Sequence, residues 1–308
     1  MRDIRSAFVT GATGAVGSAL VRELAENGVR VTVLCRPDSK RAANLPRHPL
    51  VSVCEGDVTR LGDVRADGAF DAFFHLAWMG TTGAARNDMY LQNENVRCAL
   101  DAADLAARLG CKVFVGAGSQ AEYGRVEGKL TAKTPAFPEN GYGIAKLCAG
   151  QMTRIACAQH GVAHVWARIL SVYGPCDNPN SLVMSVIGAL LRGERPQCTK
   201  GEQMWDYLYA ADAARALLAM AKRGADGAVY PLGGGTAKPL KNYILAIRDA
   251  VDPALGADLG ALAYPDRQVM YLCADLEELT RDTGFVPQVP FERGIRETVE
   301  WAKGRMQQ

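Results

Sequence analysis

The sequence predicts an α/β fold built on a doubly wound parallel sheet, with a smaller and partly discontinuous C-terminal domain. Two observations predict the sheet: fully apolar segments alternate with stretches of helical periodicity, and a glycine-rich loop follows the first apolar segment. Apolar strands that alternate with helices are typical of a parallel sheet covered on both faces. A third observation predicts the second domain, because this alternation stops after Tyr173-Gly174-Pro175.

The first half of the chain alternates strand and helix. Residues 4–10 form an apolar strand, and residues 15–27 have helical periodicity that ends at Asn27-Gly28, a helix C-terminal signal. The β-branched segment 29–34 predicts the second strand. Further strands are predicted at 51–54, 70–76, 112–116 and 163–169, and long helices at 86–109 and 142–160.

The second half is less regular. A helix is predicted at 181–193, and a strand at 204–209 followed by a helix at 212–222 is expected to return to the sheet. Helices at 238–251 and 291–305 close the chain. We therefore assign residues 1–173 and 205–234 to the sheet domain, and residues 174–204 and 235–308 to the second domain.

Composition and charge exclude several classes of partner. The 308 residues carry a formal net charge of +2, and no basic tract with interleaved aromatics suggests nucleic-acid binding. No apolar run is long enough to span a bilayer, and the N-terminus runs directly into a strand, which leaves no room for a signal peptide. We expect a cytoplasmic protein with neither a nucleic-acid nor a membrane partner.

The nine cysteines and four histidines suggest neither disulfides nor a metal site. The cysteines are scattered singly without a Cys-x-x-Cys pair, as is usual for small buried hydrophobes in a reducing compartment. His160 and His164 are four apart, but Gly161 interrupts the stretch and no carboxylate motif accompanies them. We therefore expect no bound metal.

The glycine loop predicts a dinucleotide site and makes the expected fold Rossmann-like. Gly11 permits a tight turn, Gly14 lets a pyrophosphate approach the backbone, and Gly17 brings the following helix close to the sheet. A strand enters this loop and a helix leaves it, which is the context that the motif requires. The expected cofactor contacts in the loop are Gly11, Thr13, Gly14, Ala15, Val16 and Gly17, with Val58, Leu76 and Ala77 after later strands.

The end of the second strand favours NADP(H) over NAD(H), although NAD(H) is possible. An acidic residue at this position would bind the ribose hydroxyls and repel a 2′-phosphate. This chain has Arg36, whose guanidinium can fork onto a phosphate. Alternatively, Arg36 is merely solvated and Asp38 serves the ribose. Asp57, after the third strand, can accept from the adenine amine.

The pair Tyr142 and Lys146 predicts acid/base chemistry beside that cofactor. Residues four apart on a helix share a face, so the phenol and the ammonium project to the same side. A cation beside a phenol lowers its pKa from about 10 toward working pH. We therefore predict that Tyr142 exchanges a proton with a sugar hydroxyl or ketone.

Taken together, the motifs resemble those of the extended short-chain dehydrogenase/reductase family of the NAD-dependent epimerase/dehydratase type, whose members act largely on nucleotide-activated sugars. The motifs, which extend over nearly the whole chain, are TGATGAVG at 10–17, GDV at 56–58, HLAW at 75–78, NV at 95–96, GSQAEYG at 118–124, YGIAK at 142–146, RILSVYGP at 168–175 and WDYLYAAD at 205–212. The resemblance implies that Ser119 hydrogen-bonds the reacting oxygen and that Lys146 also binds the nicotinamide ribose.

Departures from the family pattern reduce the number of family reactions expected of this chain. The 4,6-dehydratases of the family carry an Asp-Glu dyad where this chain has Gln120 and Ala121, so dehydration is not expected. Certain epimerase-reductases use a Cys where this chain has Ala121 and a His where it has Cys176. A familiar diphosphate-binding Asn and Arg are replaced by Ser171 and Trp205, whereas Arg267 lies where the family has another phosphate-binding Arg.

The sequence predicts an NADPH-dependent ketoreductase acting on a 4-keto sugar, which the resemblance implies is nucleotide-linked. Two alternatives stay open: an NAD-dependent nucleotide-sugar 4-epimerase that uses the same three residues, and a non-catalytic dinucleotide-binding scaffold. Expected substrate contacts are Gln120, Glu122, Ser171, Trp205 and Arg267, with Tyr90 a further candidate. The resemblance also implies a homodimer formed through the helices at 86–109 and 142–160.

Overall fold

The computed structural model describes residues 1–306 and contains a parallel seven-stranded sheet. The strand order is β11-β6-β5-β4-β1-β2-β3, all neighbouring strands being parallel. These strands are β1 (Ser6–Thr10), β2 (Arg30–Cys35), β3 (Val51–Glu55), β4 (Ala72–His75), β5 (Val113–Ser119), β6 (Ala163–Ile169) and β11 (Ala228–Leu232). The strands numbered β7 to β10 lie outside this sheet. The predicted fold class is confirmed.

Two helical layers cover the sheet. Leu20, Leu24 and Leu217, from α1 (Ala15–Glu26) and α5 (Ala210–Arg223), are fully buried in one apolar cluster. On the opposite face, Ala99 of α2 (Met89–Arg108) and Ala149 of α3 (Gly141–Gln159) are buried in another apolar cluster. The strands are therefore apolar on both faces, as their sequences predict.

Aromatic rings form a row across the sheet on the α2/α3 face. Phe8, Phe73, Phe114, His164 and Trp166 stack in sequence, with ring centroids 5.3, 5.7, 5.7 and 5.9 Å apart. Three glycines make room for the last ring: a Cβ on Gly116, Gly118 or Gly150 would lie 2.2, 2.3 or 2.7 Å from Trp166 atoms. Trp166 thus fills the space beneath the end of β5.

The C-terminal half builds an apolar cluster of its own around Tyr173, Ile187, Ile244 and Phe291. Its helices are α4 (Leu182–Leu191), α6 (Leu240–Val251) and α8 (Phe291–Met306), and its short strands are β7 (Ser171–Tyr173), β8 (Gln197–Cys198), β9 (Met204–Trp205), β10 (Tyr207–Tyr209), β12 (Lys238–Pro239) and β13 (Asp258–Leu259). The remaining helix, α7 (Glu277–Thr283), buries Leu279 in the cluster that α1 and α5 form against the large sheet. Within residues 1–306, the predicted strand at 204–209 does not join the large sheet, since β10 pairs with β7 and β9 with β12. The proposed domain boundaries stay a prediction.

Two buried carboxylates hold loops of the C-terminal half together. Asp206 accepts hydrogen bonds from the backbone of Gly234, Gly235 and Ala274. Asp212 accepts from the backbone of Gln288 and Val289 and pairs with Arg215. Both aspartates are fully buried, so each holds loops that would otherwise leave backbone donors unpaired. Within the described part of the chain, none of the helices has both the length and the apolar composition of a membrane span.

Candidate active site

The glycine loop has the close contacts that its motif predicts. Gly11 has φ +72°, and a Cβ there would lie 2.5 Å from the Ala77 nitrogen and the Leu76 carbonyl carbon. A Cβ on Gly17 would lie 2.2 Å from the Gly11 oxygen. Backbone positive φ and close approach both require glycine at these positions. Leu76 and Ala77 therefore flank the loop directly.

Gly14 differs from the other two glycines because a Cβ there would meet nothing within 4 Å. It is the N-cap of α1, with no side-chain cap hydrogen bond and no acidic residue in the first turn. An uncapped helix N-terminus offers backbone N–H donors and a positive dipole end to a phosphate. Thr13, Ala15 and Val16 are half-buried around this opening, so the loop fits the pyrophosphate of a dinucleotide.

A cleft of about 480 Å³ lies at the carboxyl ends of β2 and β3 and brings together Arg36, Asp38 and Asp57. One oxygen of Asp57 accepts from both the backbone and the hydroxyl of Thr59, and these bonds lower the pKa of the carboxyl despite its partial burial. Arg36 is exposed and also favours the Asp57 carboxylate. The cleft can hold an adenosine, with Val58 half-buried beside Asp57.

The three candidate catalytic residues come from two elements. Ser119 ends β5, while Tyr142 and Lys146 lie one turn apart on α3, which begins after the Asn140 side chain caps the Gly143 nitrogen. All three are buried, at 8, 9 and 3% exposure. Burial raises the pKa of Tyr142, and the nearby Ser119 side chain opposes that shift by hydrogen bonding. The three residues meet at the carboxyl edge of the sheet, beside the glycine loop.

The predicted electrostatic role of Lys146 stays a prediction, because burial and other side chains account for the shift in the pKa of Tyr142. Burial is the largest effect on Tyr142 and raises its pKa, while Ser119 and the Arg86 guanidinium lower it. Burial also lowers the pKa of Lys146 to about 7. Its ammonium donates to the Ala117 carbonyl at 2.6 Å and lies 3.7 Å above the Trp78 ring, but 5.8 Å from the Tyr142 ring centroid.

The prediction that Glu122 contacts substrate is wrong. Its side chain is fully buried and accepts hydrogen bonds from the Ser119 nitrogen at 2.8 Å, Trp166 Nε1 at 3.0 Å and Arg168 Nε at 2.7 Å. Both carboxylate oxygens are therefore occupied from behind the site. Glu122 supports Ser119 in a capping box on the one-turn helix Gln120–Glu122 and faces the protein interior.

Two predicted substrate residues share a cavity of about 870 Å³ between β7, α4 and α6. Trp205 Nε1 donates to Ser171 Oγ at 2.8 Å. Arg267 is exposed in the adjoining loop, whose Pro265 and Gln268 line the cavity. The half-buried Gln120 follows Ser119 directly.

Two further sequence candidates lie elsewhere. The idea that Tyr90 faces the pocket is wrong, because its side chain is 92% exposed. Cys176 is buried and lines a different cavity with Arg41, as expected of a packed thiol. Of the nine cysteines, seven are buried and all are free.

Sequence reasoning missed Arg86 and Trp78, which both contact the catalytic side chains. The Arg86 guanidinium lies 4.3 Å from the Tyr142 ring centroid, and the Trp78 ring meets Tyr142 edge-on at 6.2 Å. Trp78 belongs to the HLAW segment, which follows a strand beside the glycine loop. That position in the sequence could have identified it as a site residue. Arg86 carries no such signal, because 56 positions separate it from Tyr142.

The fold and the site together define the class: an oxidoreductase-type enzyme that uses a nicotinamide dinucleotide. The profile of the NAD dependent epimerase/dehydratase family matches residues 7–233. The chain therefore belongs to that family, and the resemblance noted in its motifs is confirmed.

Individual relatives differ in their named activities. A dTDP-glucose 4,6-dehydratase from Streptomyces griseus is 28% identical over 310 residues, covering 96% of this chain and 93% of the relative. The structure of a UDP-N-acetylglucosamine 4-epimerase from Methanobrevibacter ruminantium M1, in complex with UDP-N-acetylmuramic acid, matches with a TM-score of 0.88 and 23% identity, covering 99% and 100% of the two chains. The structure of RMD from Pseudomonas aeruginosa with NADPH matches with a TM-score of 0.82 and 21% identity, covering 98% and 99%.

Proposed function

We propose that this enzyme reduces a 4-keto sugar, carried on a nucleoside diphosphate, with NADPH. The observation that carries the proposal is the buried Ser119–Tyr142–Lys146 group, in which one phenol is available as an acid and the neighbouring carboxylate is occupied. Ser119 hydrogen-bonds the substrate carbonyl oxygen, and Tyr142 donates its proton to that oxygen as it gains charge. The dinucleotide supplies hydride chemistry when bound.

The same geometry argues against dehydration of the sugar. Eliminating water requires a further acid and base beside the Tyr, and Gln120 and Ala121 provide neither. Glu122 cannot substitute, because Trp166, Arg168 and the Ser119 backbone occupy its oxygens within a fully buried pocket. The dehydratase named among the relatives is therefore not the activity that we propose here.

The second candidate is a nucleotide-sugar 4-epimerase, which needs the same three residues but retains its cofactor. The likeness to an epimerase structure favours it, whereas Arg36 favours NADP(H), because an exposed guanidinium at the end of β2 can bind a 2′-phosphate. Asp38 and Glu55 line the same cleft and oppose that preference. Within residues 1–306 the Arg36 guanidinium has no hydrogen-bond or ion-pair partner, so it can turn toward a phosphate.

The deciding experiment measures cofactor turnover and retention with purified enzyme. A nucleoside-diphosphate 4-keto sugar is mixed with NADPH or NADH, and loss of reduced-nicotinamide absorbance is followed together with the sugar product. We expect stoichiometric NADPH oxidation and a 4-hydroxy product, with Ser119→Ala greatly slowed. Epimerisation without net NADPH loss, together with one NAD retained per chain through gel filtration, would replace the reductase by the epimerase.

We also propose a cytoplasmic homodimer formed through α2 and α3. Ile144, Met152 and Ile155 are 54, 43 and 53% exposed on one face of α3, and such an apolar row marks a protein interface. A second copy of the chain would cover it. Light scattering should give twice the mass of 33.0 kDa, and Ile155→Glu should give the monomer mass; a monomeric parent protein would end this part of the proposal.

A further inference from the structure

Arg86 lies over the catalytic Tyr142, and contacts of its own segment with the rest of the protein hold it there. The side chain of the next residue, Asn87, accepts a hydrogen bond from the Gly141 backbone nitrogen at 3.0 Å. This bond joins the segment before α2 to the first turn of α3. Arg86 Nη1 donates to the Thr81 carbonyl at 3.1 Å. A Cβ on Gly141 would lie 3.0 Å from the Arg86 carbonyl oxygen, so this approach is close. The guanidinium therefore has a defined position.

The charge of Arg86 is directed at the Tyr142 ring. Its Cζ lies 4.3 Å from the ring centroid, within the range of a cation–π contact. Ion pairing does not neutralise it: within residues 1–306, its one side-chain hydrogen bond goes to a carbonyl. A phenolate spreads its charge over the ring, so a cation on the ring face stabilises the phenolate more than the phenol.

Lys146 is less suited to this task, although it shares the α3 face. Its Nζ is farther from the ring and is hydrogen-bonded to Ala117, and burial lowers its pKa to about 7. A lysine in that state loses part of its charge near neutral pH, whereas an arginine remains charged. The remaining groups that act on Tyr142 are Ser119, which favours the phenolate, and Glu122, which opposes it.

We propose that Arg86 is a positioning residue for the acid/base step: its guanidinium fixes the Tyr142 ring and stabilises the phenolate formed when Tyr142 gives up its proton. This inference rests on the proposed role of Tyr142 but not on the identity of the substrate. It adds a residue from the short 3-10 helix Gly83–Asn87, which precedes α2, to the groups that favour the phenolate.

The test titrates Tyr142 directly in the full-length protein. Ultraviolet phenolate absorbance is recorded against pH, and the same curve from Tyr142→Phe is subtracted to remove the other nine tyrosines. The comparison is repeated in Arg86→Met and Arg86→Lys backgrounds. We expect Arg86→Met to move the Tyr142 titration upward by about one pH unit or more, and Arg86→Lys to restore most of the shift.

A matched control and a kinetic readout complete the design. Arg5→Met removes the same charge at the amino end of β1, where the side chain is 82% exposed, and should leave the titration unchanged. In Arg86→Met, kcat should fall about tenfold at neutral pH with the cofactor Kd unchanged, and its pH profile should shift by the same amount as the titration.

Several outcomes overturn the proposal. One is an Arg86→Met titration equal to that of the parent, and another is a Tyr142 phenolate that does not form in the parent before alkaline unfolding. A raised KM with an unchanged titration would make Arg86 a substrate ligand instead. If no keto sugar is reduced, the proposed function fails, while the titration still decides the effect of Arg86 on Tyr142.

Discussion

The glycine loop and the catalytic group lie at the same edge of the sheet but are built in opposite ways. Around the loop, Gly11 and Gly17 are fixed by backbone contacts, and the side chains are half-exposed. Around Ser119, three ionisable groups, Glu122, Lys146 and Arg168, are buried, and Glu122 pairs with Arg168. One region thus works through shape and backbone donors, the other through charges held away from water. The two should respond differently to mutation.

Breaking the buried pair behind Ser119 should produce the largest effect. Glu122→Ala removes the partner of Arg168, whose side chain is 5% exposed, and leaves a buried guanidinium unpaired. We expect a loss of about 3–5 kcal/mol in the free energy of unfolding. Denaturant titration measures it, with Arg293→Ala at the exposed Arg293–Glu297 pair as the control, where the loss should stay below about 1 kcal/mol. Equal losses would remove the contrast between buried and exposed charge.

The loop offers a second matched pair, in which one methyl group is added to each of two glycines. Gly17→Ala places a carbon 2.2 Å from the Gly11 oxygen, so the fold should lose about 1–3 kcal/mol. Gly14→Ala meets no protein atom within 4 Å, so stability should hold while dinucleotide affinity falls because the methyl occupies the phosphate opening. Thermal unfolding with and without NADPH separates the two. Unchanged affinity in Gly14→Ala would mean that the phosphates bind elsewhere.

Lys146 should make stability depend on pH in a defined window. Its pKa of about 7 in the folded protein lies below the ordinary value of about 10.4, so the unfolded chain binds more protons between these two values. Stability contributed by this group therefore rises with pH across that window, by at most about 1.4 kcal/mol per pH unit. The difference between parent and Lys146→Met unfolding curves isolates it. A difference that stays flat from pH 7 to 10 would show that Lys146 remains charged in the fold.

The smallest effect is expected at Arg36. Arg36→Leu removes the cation at the end of β2 and should weaken NADPH binding about tenfold, while NADH binding changes little. Calorimetric Kd values for the two cofactors give the ratio. Lys40→Leu, a few residues along on the same exposed segment, is the control for general loss of charge. Equal weakening of both cofactors would remove the basis for an NADP preference.

Sequence patterns predicted the sheet, the glycine loop and the spacing of Tyr142 and Lys146, because each depends on residues close together in the chain. They missed what depends on long-range contact. Glu122 was assigned to the substrate because of its neighbours in sequence, although Arg168, which turns it inward, lies 46 positions away. The same limit hid Arg86, since only the folded loop brings it onto the tyrosine ring.

The strand at 204–209 was assigned to the large sheet for a related reason. Its alternation of apolar residues is that of a strand, but a pattern of this kind does not say which strand it pairs with. In the fold, β10 pairs with β7, and the buried Asp206 side chain accepts a hydrogen bond from the Gly234 backbone nitrogen. This arrangement positions Trp205 at Ser171, so the cavity wall depends on a pairing that the sequence alone did not specify.

The most direct test of the account is the turnover of Tyr142→Phe with its cofactor bound. The variant keeps the ring between Arg86 and Trp78 and removes only the hydroxyl. Rapid-mixing measurement of nicotinamide oxidation should show a rate at least about 10²-fold below the parent, with an unchanged NADPH Kd. A rate equal to that of the parent would contradict the account, because the proton would then come from another group.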